Sequence, residues 1–237
     1  MIERYIEYEH DDTVLEAYMA LDEASQKPGP AILIAHTWEG RSEFVCDKAR
    51  ILAGQGYVGF ALDLYGKGVV GGGPEENGRL MQPLLDNRDL LQKRMLRALD
   101  ALREQPEVDS DRIAAVGYCF GGLSVLDLAR VGTDIRGVVS FHGLLGQPGN
   151  TNGTAIAAKV LILHGNDDPM VPVDDVVAIE KELTQNGADW QLHAYGNTMH
   201  AFTNRNANDV GNGIAYSATA DHRSWIALMN FLEEVLG

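Results

Sequence analysis

The sequence has few cysteines, a shortage of basic residues and no long apolar run. Two cysteines in 237 residues, Cys46 and Cys119, are too few for a disulfide framework, so we expect both to be reduced thiols. Lys and Arg number 19 against 34 Asp and Glu, and the formal net charge of -15 disfavours nucleic acids and anionic membranes as partners. No apolar run approaches the length that crosses a bilayer.

Targeting and linker signals are also missing. Residues 1–4, MIER, are not a basic segment leading into an apolar one, so no signal peptide is expected and a cytoplasmic setting is predicted. The chain has no repeat, low-complexity tract or linker-like stretch. With 45% apolar and 22% charged residues, it fits one globular domain over 1–237. A monomer and a homodimer fit the sequence equally.

Apolar strands alternate with amphipathic helices along the chain. Strands are predicted at residues 31–35, 57–64, 109–117, 135–141, 159–164 and 189–195, and helices at 43–55, 80–105, 123–130, 174–185 and 217–236. This order predicts an α/β fold with a mostly parallel central sheet and helices on both faces. Residues 4–9 and 13–19 alternate in polarity around the turn-like HDD at 10–12, which predicts an antiparallel hairpin at the N-terminal edge.

The strongest functional signal is GYCFGG at residues 117–122. It lies between a predicted strand and a predicted helix, with glycine two residues before and two residues after Cys119. This is the pattern of a nucleophile elbow with cysteine in place of serine. The turn is so tight that its tip is strained and its flanking positions must lack a Cβ atom. The sequence therefore predicts Cys119 as a nucleophile at the carboxyl end of a strand.

Two later segments supply a carboxylate and a histidine, each after a predicted strand. Asp168 lies in GNDDPMVP at 165–172, and His200 lies in NTMHAF at 197–202. The chain order of nucleophile, acid and base is the α/β-hydrolase order. Cys119 is predicted to attack a carbonyl, His200 to share its proton and protonate the leaving group, and Asp168 to orient His200. Asp167 is the alternative acid.

An oxyanion hole is predicted from two backbone N–H groups. The first belongs to Phe120, directly after the nucleophile, and the second to the loop after the strand at 31–35, at Trp38. The dipole of the helix that follows Cys119 favours a thiolate there.

The remaining clusters indicate no metal and no cofactor. HDD at 10–12 is better explained as a solvated turn, and GGG at 71–73 lacks the lysine and spacing of a phosphate loop. His142 and His164 end predicted strands, where core or supporting roles are expected. His36 begins the predicted oxyanion loop and is placed to hydrogen-bond it.

These motifs resemble those of the dienelactone hydrolase family, within the α/β-hydrolase superfamily. The resemblance covers nearly the whole chain and includes GYCFGG at 117–122, DLYG at 63–66, the DP and VP pairs within 165–172, HAF at 200–202 and RSW at 223–225. It implies an α/β-hydrolase fold and carboxylesterase-type hydrolysis of a lactone or small activated ester through an acyl-thioester. It implies no metal or cofactor.

The resemblance also points to substrate-binding positions, where this chain departs from the family pattern. Family members carry a glutamate that pairs with the nucleophile, and Thr37 stands at that position here, with Glu39 nearby. Family arginines hold the carboxylate of the substrate. At their spacings this chain has Asn204, with Arg205 beside it, and Arg79 as a loose match. Membership in the family is therefore expected more firmly than activity on dienelactone itself.

Aromatic residues complete the candidate substrate site. Trp38, Tyr118 and Phe120 are predicted to line an apolar substrate pocket, with ordinary core packing as the alternative for each, and Phe202 is a further candidate substrate contact.

Other functions stay open on the sequence alone. The same triad would serve a thioesterase or a peptidase-like hydrolase. A thiol-based redox sensor is the alternative from another class, since an exposed thiol of low pKa suits a sensor as well as an enzyme. Cys119 as a plain buried cysteine and His200 as a surface loop histidine are the structural alternatives.

Overall fold

The computed structural model describes residues 1–25 and 28–237. In chain order its elements are β1 (Ile2–His10), β2 (Thr13–Leu21), β3 (Gly29–Ala35), α1 (Glu43–Ala53), β4 (Val58–Ala61), α2 (Pro74–Asp86), α3 (Arg88–Arg103), β5 (Val108–Tyr118), α4 (Phe120–Arg130), β6 (Gly137–Phe141), β7 (Lys159–Gly165), α5 (Val173–Gln185), β8 (Trp190–Tyr195), β9 (Asn208–Asp209), β10 (Ile214–Ala215) and α6 (Ala218–Leu236). A 3₁₀ turn, Val210–Asn212, connects β9 to β10.

The main sheet has eight strands in the order β1-β2-β4-β3-β5-β6-β7-β8. The pairs β3–β4, β6–β7 and β7–β8 are parallel, whereas β1–β2 and β2–β4 are antiparallel. This is the mostly parallel sheet with an antiparallel N-terminal hairpin that the sequence predicts, and the fold class is confirmed. In such sheets the reacting groups lie beyond the carboxyl ends of the strands.

The chain divides into two compact units, Met1–Val116 and Gly117–Gly237. The single domain expected over 1–237 stays a prediction. In the first unit, β1 and β2 pair in one continuous register, in which Ile2 lies opposite Leu21 and His10 opposite Thr13. Asp11 and Asp12 are left as a two-residue turn, and the φ of +50° at Asp11 suits the turn types of such hairpins.

The predicted helix over 80–105 is wrong, because two helices occupy this segment. α2 begins earlier, at Pro74, and ends at Asp86, while α3 begins at Arg88. Pro83 has no N–H for a helical hydrogen bond and weakens the last turn of α2. Asn87 then caps α3, since its side chain accepts a hydrogen bond of 3.1 Å from the Leu90 N–H.

The second unit is built around α4, whose eleven residues are all buried. Arg130, at the end of this helix, is 1% exposed and donates to both carboxylate oxygens of Glu182 at 2.8 Å. The same guanidinium donates to the Leu145 carbonyl at 2.9 Å. The buried charge is therefore paired, and it ties α5 and the loop after β6 to α4.

The segment 204–213 contains a short strand. Its residues 208–209 form β9, which pairs with β10 in a small antiparallel ribbon. Ser217 then caps α6 by accepting a hydrogen bond from the Ala220 N–H.

Both cysteines are free, with Cys46 buried in α1 and Cys119 half-buried. Over residues 1–25 and 28–237, none of the helices is both long and apolar enough to span a membrane.

Candidate active site

The turn between β5 and α4 holds Cys119 in a strained conformation. Its φ of 56° and ψ of -115° lie outside the regions that non-glycine residues usually adopt. A Cβ atom on Gly117 would lie 1.9 Å from the Gly121 carbonyl oxygen, and one on Gly122 would lie 2.8 Å from the Cα atom of Gly143. Close backbone approach therefore requires glycine at position 117, two residues before Cys119 as the elbow pattern predicts, and also at position 122, three residues after it.

Cys119 stands directly before the first turn of α4, an eleven-residue helix. Its N–H donates to the Phe141 carbonyl at 3.0 Å, which anchors the turn to the end of β6. The positive end of the helix dipole lies at this terminus and favours a negative charge on the sulfur.

The loop after β7 presents Asp168. Its own N–H donates to the Gly165 carbonyl at 3.1 Å, so the chain turns immediately after the strand. One carboxylate oxygen accepts from the Met170 N–H at 2.9 Å. The neighbouring Asp167 is exposed and its carboxylate faces Asn166. Of the two acids that the sequence left open, Asp168 is the buried one.

The loop after β8 presents His200, and the ribbon holds its backbone in place. The His200 N–H donates to the Gly213 carbonyl at 2.9 Å, and its carbonyl accepts from the Ala215 N–H at 3.1 Å. A Cβ atom on Gly213 would meet Pro169 Cγ at 2.2 Å. The ribbon therefore packs tightly between the loops that carry His200 and Asp168.

The three side chains form one hydrogen-bonded line. His200 Nε2 lies 3.1 Å from Cys119 Sγ, and His200 Nδ1 lies 2.7 Å from Asp168 Oδ2. His200 is 3% and Asp168 4% exposed. A nucleophile, a base and an orienting acid in these contacts match the requirements of covalent acyl transfer.

The surroundings of His200 favour its protonated form. Burial is the largest influence and lowers its pKa, but the charge on Cys119 and the hydrogen bond that His200 donates to Asp168 outweigh burial and raise the pKa to about 10. An imidazolium beside Cys119 stabilises a thiolate. The pKa of His164, which lies in β7 just before its last residue, Gly165, is instead lowered by burial, so this ring is neutral near pH 7.

Several predicted substrate residues are core residues of the second unit. Tyr118 and Phe202 are fully buried, as is the side chain of Phe120. The Tyr118 ring stacks on Phe141 at 4.7 Å, and Phe202 packs edge-to-face on Tyr195 at 5.6 Å. Their role as substrate contacts stays a prediction, and the core-packing alternative accounts for their positions.

The remaining candidates are placed as follows. Arg205 is exposed in the second unit, whereas Thr37, Trp38, Glu39 and Arg79 all belong to the first.

Within the first unit, the loop of Trp38 is held by several bonds. The Trp38 carbonyl accepts from the Tyr65 hydroxyl at 3.0 Å, and the Glu39 carbonyl accepts from the Gly71 N–H at 2.8 Å. Arg79 lies exposed on α2.

Sequence reasoning gave little weight to the surroundings of His200. His142 and Thr203 are buried and hydrogen-bonded to each other at 2.8 Å. His142 could have been noticed because it stands at the end of a predicted strand. No sequence signal identifies Thr203. Within the described parts of the chain, His, Cys, Asp and Glu side chains nowhere gather in a group of three suited to a metal ion.

Comparisons with known proteins agree with this architecture. The model of the dienelactone hydrolase family matches residues 15–236. A putative carboxymethylenebutenolidase from Aquifex aeolicus is 27% identical, with 98% of each chain covered. A crystal structure of a dienelactone hydrolase-like promiscuous phosphotriesterase from metagenomic libraries is 34% identical, covers 100% of this chain and 99% of that one, and superposes with a TM-score of 0.93. A dienelactone hydrolase from Anabaena variabilis, 18% identical over 100% of this chain and 99% of that one, shares the fold with a TM-score of 0.73.

The chain therefore belongs to the dienelactone hydrolase family. It is a carboxylic ester hydrolase of that family, as its motifs predict.

Proposed function

We propose that this enzyme hydrolyses lactones or small esters through a covalent acyl-thioester on Cys119. The observation that carries the proposal is the hydrogen-bonded line from Cys119 through His200 to Asp168, with distances of 3.1 and 2.7 Å. A thiolate, a protonated imidazole and a buried carboxylate are the groups that this chemistry needs.

In the first half-reaction the Cys119 thiolate attacks the carbonyl carbon of the substrate. The C–S bond forms while the carbonyl electron pair moves to oxygen. When this tetrahedral intermediate collapses, the C–O bond to the leaving group breaks, and the imidazolium of His200 gives its proton to the departing alkoxide. With a lactone the alcohol stays attached to the acyl group, so the ring opens without release of a product.

In the second half-reaction His200, now neutral, accepts a proton from water while the water oxygen attacks the thioester. Collapse of this second intermediate releases the carboxylic acid and restores the thiolate and the imidazolium. Asp168 keeps Nδ1 of His200 protonated and stabilises the charged ring in both halves.

The developing oxyanion needs backbone donors. Phe120 is the first residue of α4, and N–H groups in the first turn of a helix are suited to bind a negative oxygen. The Trp38 N–H as the second donor stays a prediction from the sequence.

The names of relatives support a lactone as the substrate class. Besides the Aquifex protein, a probable 2-oxo-3-(5-oxofuran-2-ylidene)propanoate lactonase from Bradyrhizobium is 26% identical over 73% of each chain. The net charge of -15 gives no general attraction for anionic substrates. We therefore place small neutral lactones and esters before dienelactone itself.

Hydrolysis of activated phosphotriesters is a second candidate. The 34% identical relative, described as a promiscuous phosphotriesterase, favours it. An aryl phosphotriester tested beside the esters would show whether this chain shares that activity. The thiol-sensor alternative has weaker support, because a sensor does not need His200 and Asp168 aligned behind the thiol.

The testing experiment measures hydrolysis of p-nitrophenyl acetate and a panel of small lactones by the wild type and by Cys119→Ala. Cys46→Ala is the matched control, since it removes the other thiol, which is buried on α1. We expect Cys119→Ala to lose all measurable catalysis, Cys46→Ala to keep it, and mass spectrometry of the quenched wild type to show an acyl adduct on Cys119. Full activity in Cys119→Ala would refute the proposal.

A further inference from the structure

A second buried imidazole lies beside the proposed base. His142 follows the last residue of β6, is 2% exposed and has a φ of 38°, in the left-handed region that non-glycine residues seldom adopt. Its ring centroid is 5.2 Å from that of His200, and the two planes meet at 67°, an edge-to-face contact. A strained backbone that places a polar ring against the proposed base calls for an explanation beyond space filling.

The His200 ring needs support that its two hydrogen bonds do not provide. Its bonds to Cys119 and Asp168 fix the two nitrogens and therefore define an axis through the ring. Hydrogen bonds tolerate tens of degrees of misalignment, so they resist rotation about that axis only weakly. A close aromatic contact on the side of the ring resists this rotation, because a tilt would bring the two rings into collision.

His142 is itself held on two sides. Its Nε2 atom lies 2.8 Å from Thr203 Oγ1, and Thr203 is 3% exposed. The ring also meets Phe202 edge-to-face, with centroids 5.1 Å apart and planes at 82°. Both contacts come from the loop that carries His200, so any movement of His200 relative to the end of β6 would disturb them.

We propose that His142 is a positioning residue that fixes the tilt of the His200 imidazole through ring contact, with Thr203 setting the rotation of the His142 ring. The inference rests on the proposed function of the triad and goes beyond it, since it assigns a role to a residue outside the triad. A tilt of His200 would lengthen the path of its proton to the leaving group and would weaken its pairing with the thiolate.

The test compares three substitutions by their kcat and KM for p-nitrophenyl acetate and by the rate at which iodoacetamide alkylates Cys119. His142→Ala removes the ring and the hydrogen bond, His142→Gln keeps a hydrogen-bonding group for Thr203, and His142→Phe keeps the ring alone. We expect His142→Ala to lose about 10-fold to 100-fold in kcat, the scale of a small misplacement of a catalytic group, with KM changed less than about 2-fold. We expect His142→Phe to retain more of the wild-type kcat than His142→Gln does. The rate of Cys119 alkylation at neutral pH should rank the variants in the same order.

His222→Gln, on the exposed side of α6, is the matched control and should keep wild-type kinetics. If His142→Ala does not fold, the Phe and Gln variants, which better preserve the volume of the site, decide the question. Wild-type kcat per folded molecule in the variants, or a Phe variant no better than Gln, would overturn the inference while the triad stands. Cys119→Ala is assayed in parallel, because its activity alone reports on the proposed function.

Discussion

Two buried histidines, one in each unit, are bonded at both ring nitrogens, and yet their pKa values are shifted in opposite directions. In the first unit, His36 Nδ1 lies 2.6 Å from the Thr37 carbonyl, and its Nε2 accepts from the Leu64 N–H at 3.1 Å. Burial dominates there and lowers the pKa of His36. In the second unit, His200 has side-chain partners, and its pKa is raised to about 10.

The difference between the two rings lies in what bonds them. The partners of His36 are neutral peptide groups, one acceptor and one donor, which suit a single neutral tautomer with the proton on Nδ1. The partners of His200 are a carboxylate and a thiol, which gain from a positive charge between them. Burial alone therefore does not set the charge of these rings, because the ionisable partners of His200 reverse its effect on the pKa.

The largest effect on this comparison is expected from removing the ring of His200. We expect His200→Ala to lower kcat for ester hydrolysis by about 10⁶-fold, the scale seen when a triad base is deleted. Iodoacetamide should also alkylate Cys119 much more slowly near pH 7, because the thiolate loses its cationic partner. Steady-state kinetics and timed alkylation check both, and a variant within about 10-fold of wild type would contradict the role given to His200.

A smaller effect is expected from changing the acid. Asp168→Asn retains the shape of the side chain but replaces a charged acceptor with an amide, so it no longer favours a proton on Nδ1. We expect kcat to fall by about 10³-fold to 10⁴-fold with KM little changed. Asp167→Asn is the adjacent control, and equal losses in the two variants would show that the assignment of the acid is wrong.

The smallest effect is expected from changing His36, and it should appear in the free energy of unfolding. Because its folded-state pKa lies below the unfolded value of 6.5, its contribution to stability is present above that pH and is lost as the pH falls through the folded pKa. We expect His36→Gln to lower the free energy of unfolding by about 1–3 kcal/mol at neutral pH, since it breaks two buried hydrogen bonds.

Urea titrations at a series of acidic and neutral pH values separate the titration of His36 from its packing. Between about pH 7 and pH 5 the wild type should lose more stability than His36→Gln. In the wild type, His36 takes up a proton more readily in the unfolded chain than in the folded one, and Gln does not titrate. Parallel stability curves for the two proteins would contradict a neutral His36.

The elements that follow from local rules were readable in the sequence. The two-residue hairpin turn, the order of strands and helices and the glycine spacing around Cys119 depend on near neighbours in the chain. The order of Cys119, Asp168 and His200 after three strands also anticipated which side chains meet, because parallel strands end at the same edge of a sheet.

Other features depend on context that the sequence conceals. The leucine stripe of α2 and α3 continues across Asn87, so its periodicity predicted one helix where there are two. Pro83 and Asn87, which mark the break between the helices, were both present in the sequence. The ribbon of β9 and β10 has strands of only two residues, too short for any periodic pattern. The contact between His142 and His200 joins residues far apart in sequence, and only the folded loops bring the two rings together.

The elbow has a consequence for how this enzyme could change over evolution or in a directed library. A side chain at Gly117 would collide with backbone atoms that have no room to yield, whereas the tip of the turn already carries a side chain. The position of the proposed nucleophile is therefore more replaceable than the glycine positions beside it. Libraries that vary Cys119 explore new reactivity on an intact scaffold, while those that vary Gly117 or Gly122 mostly sample unfolded proteins.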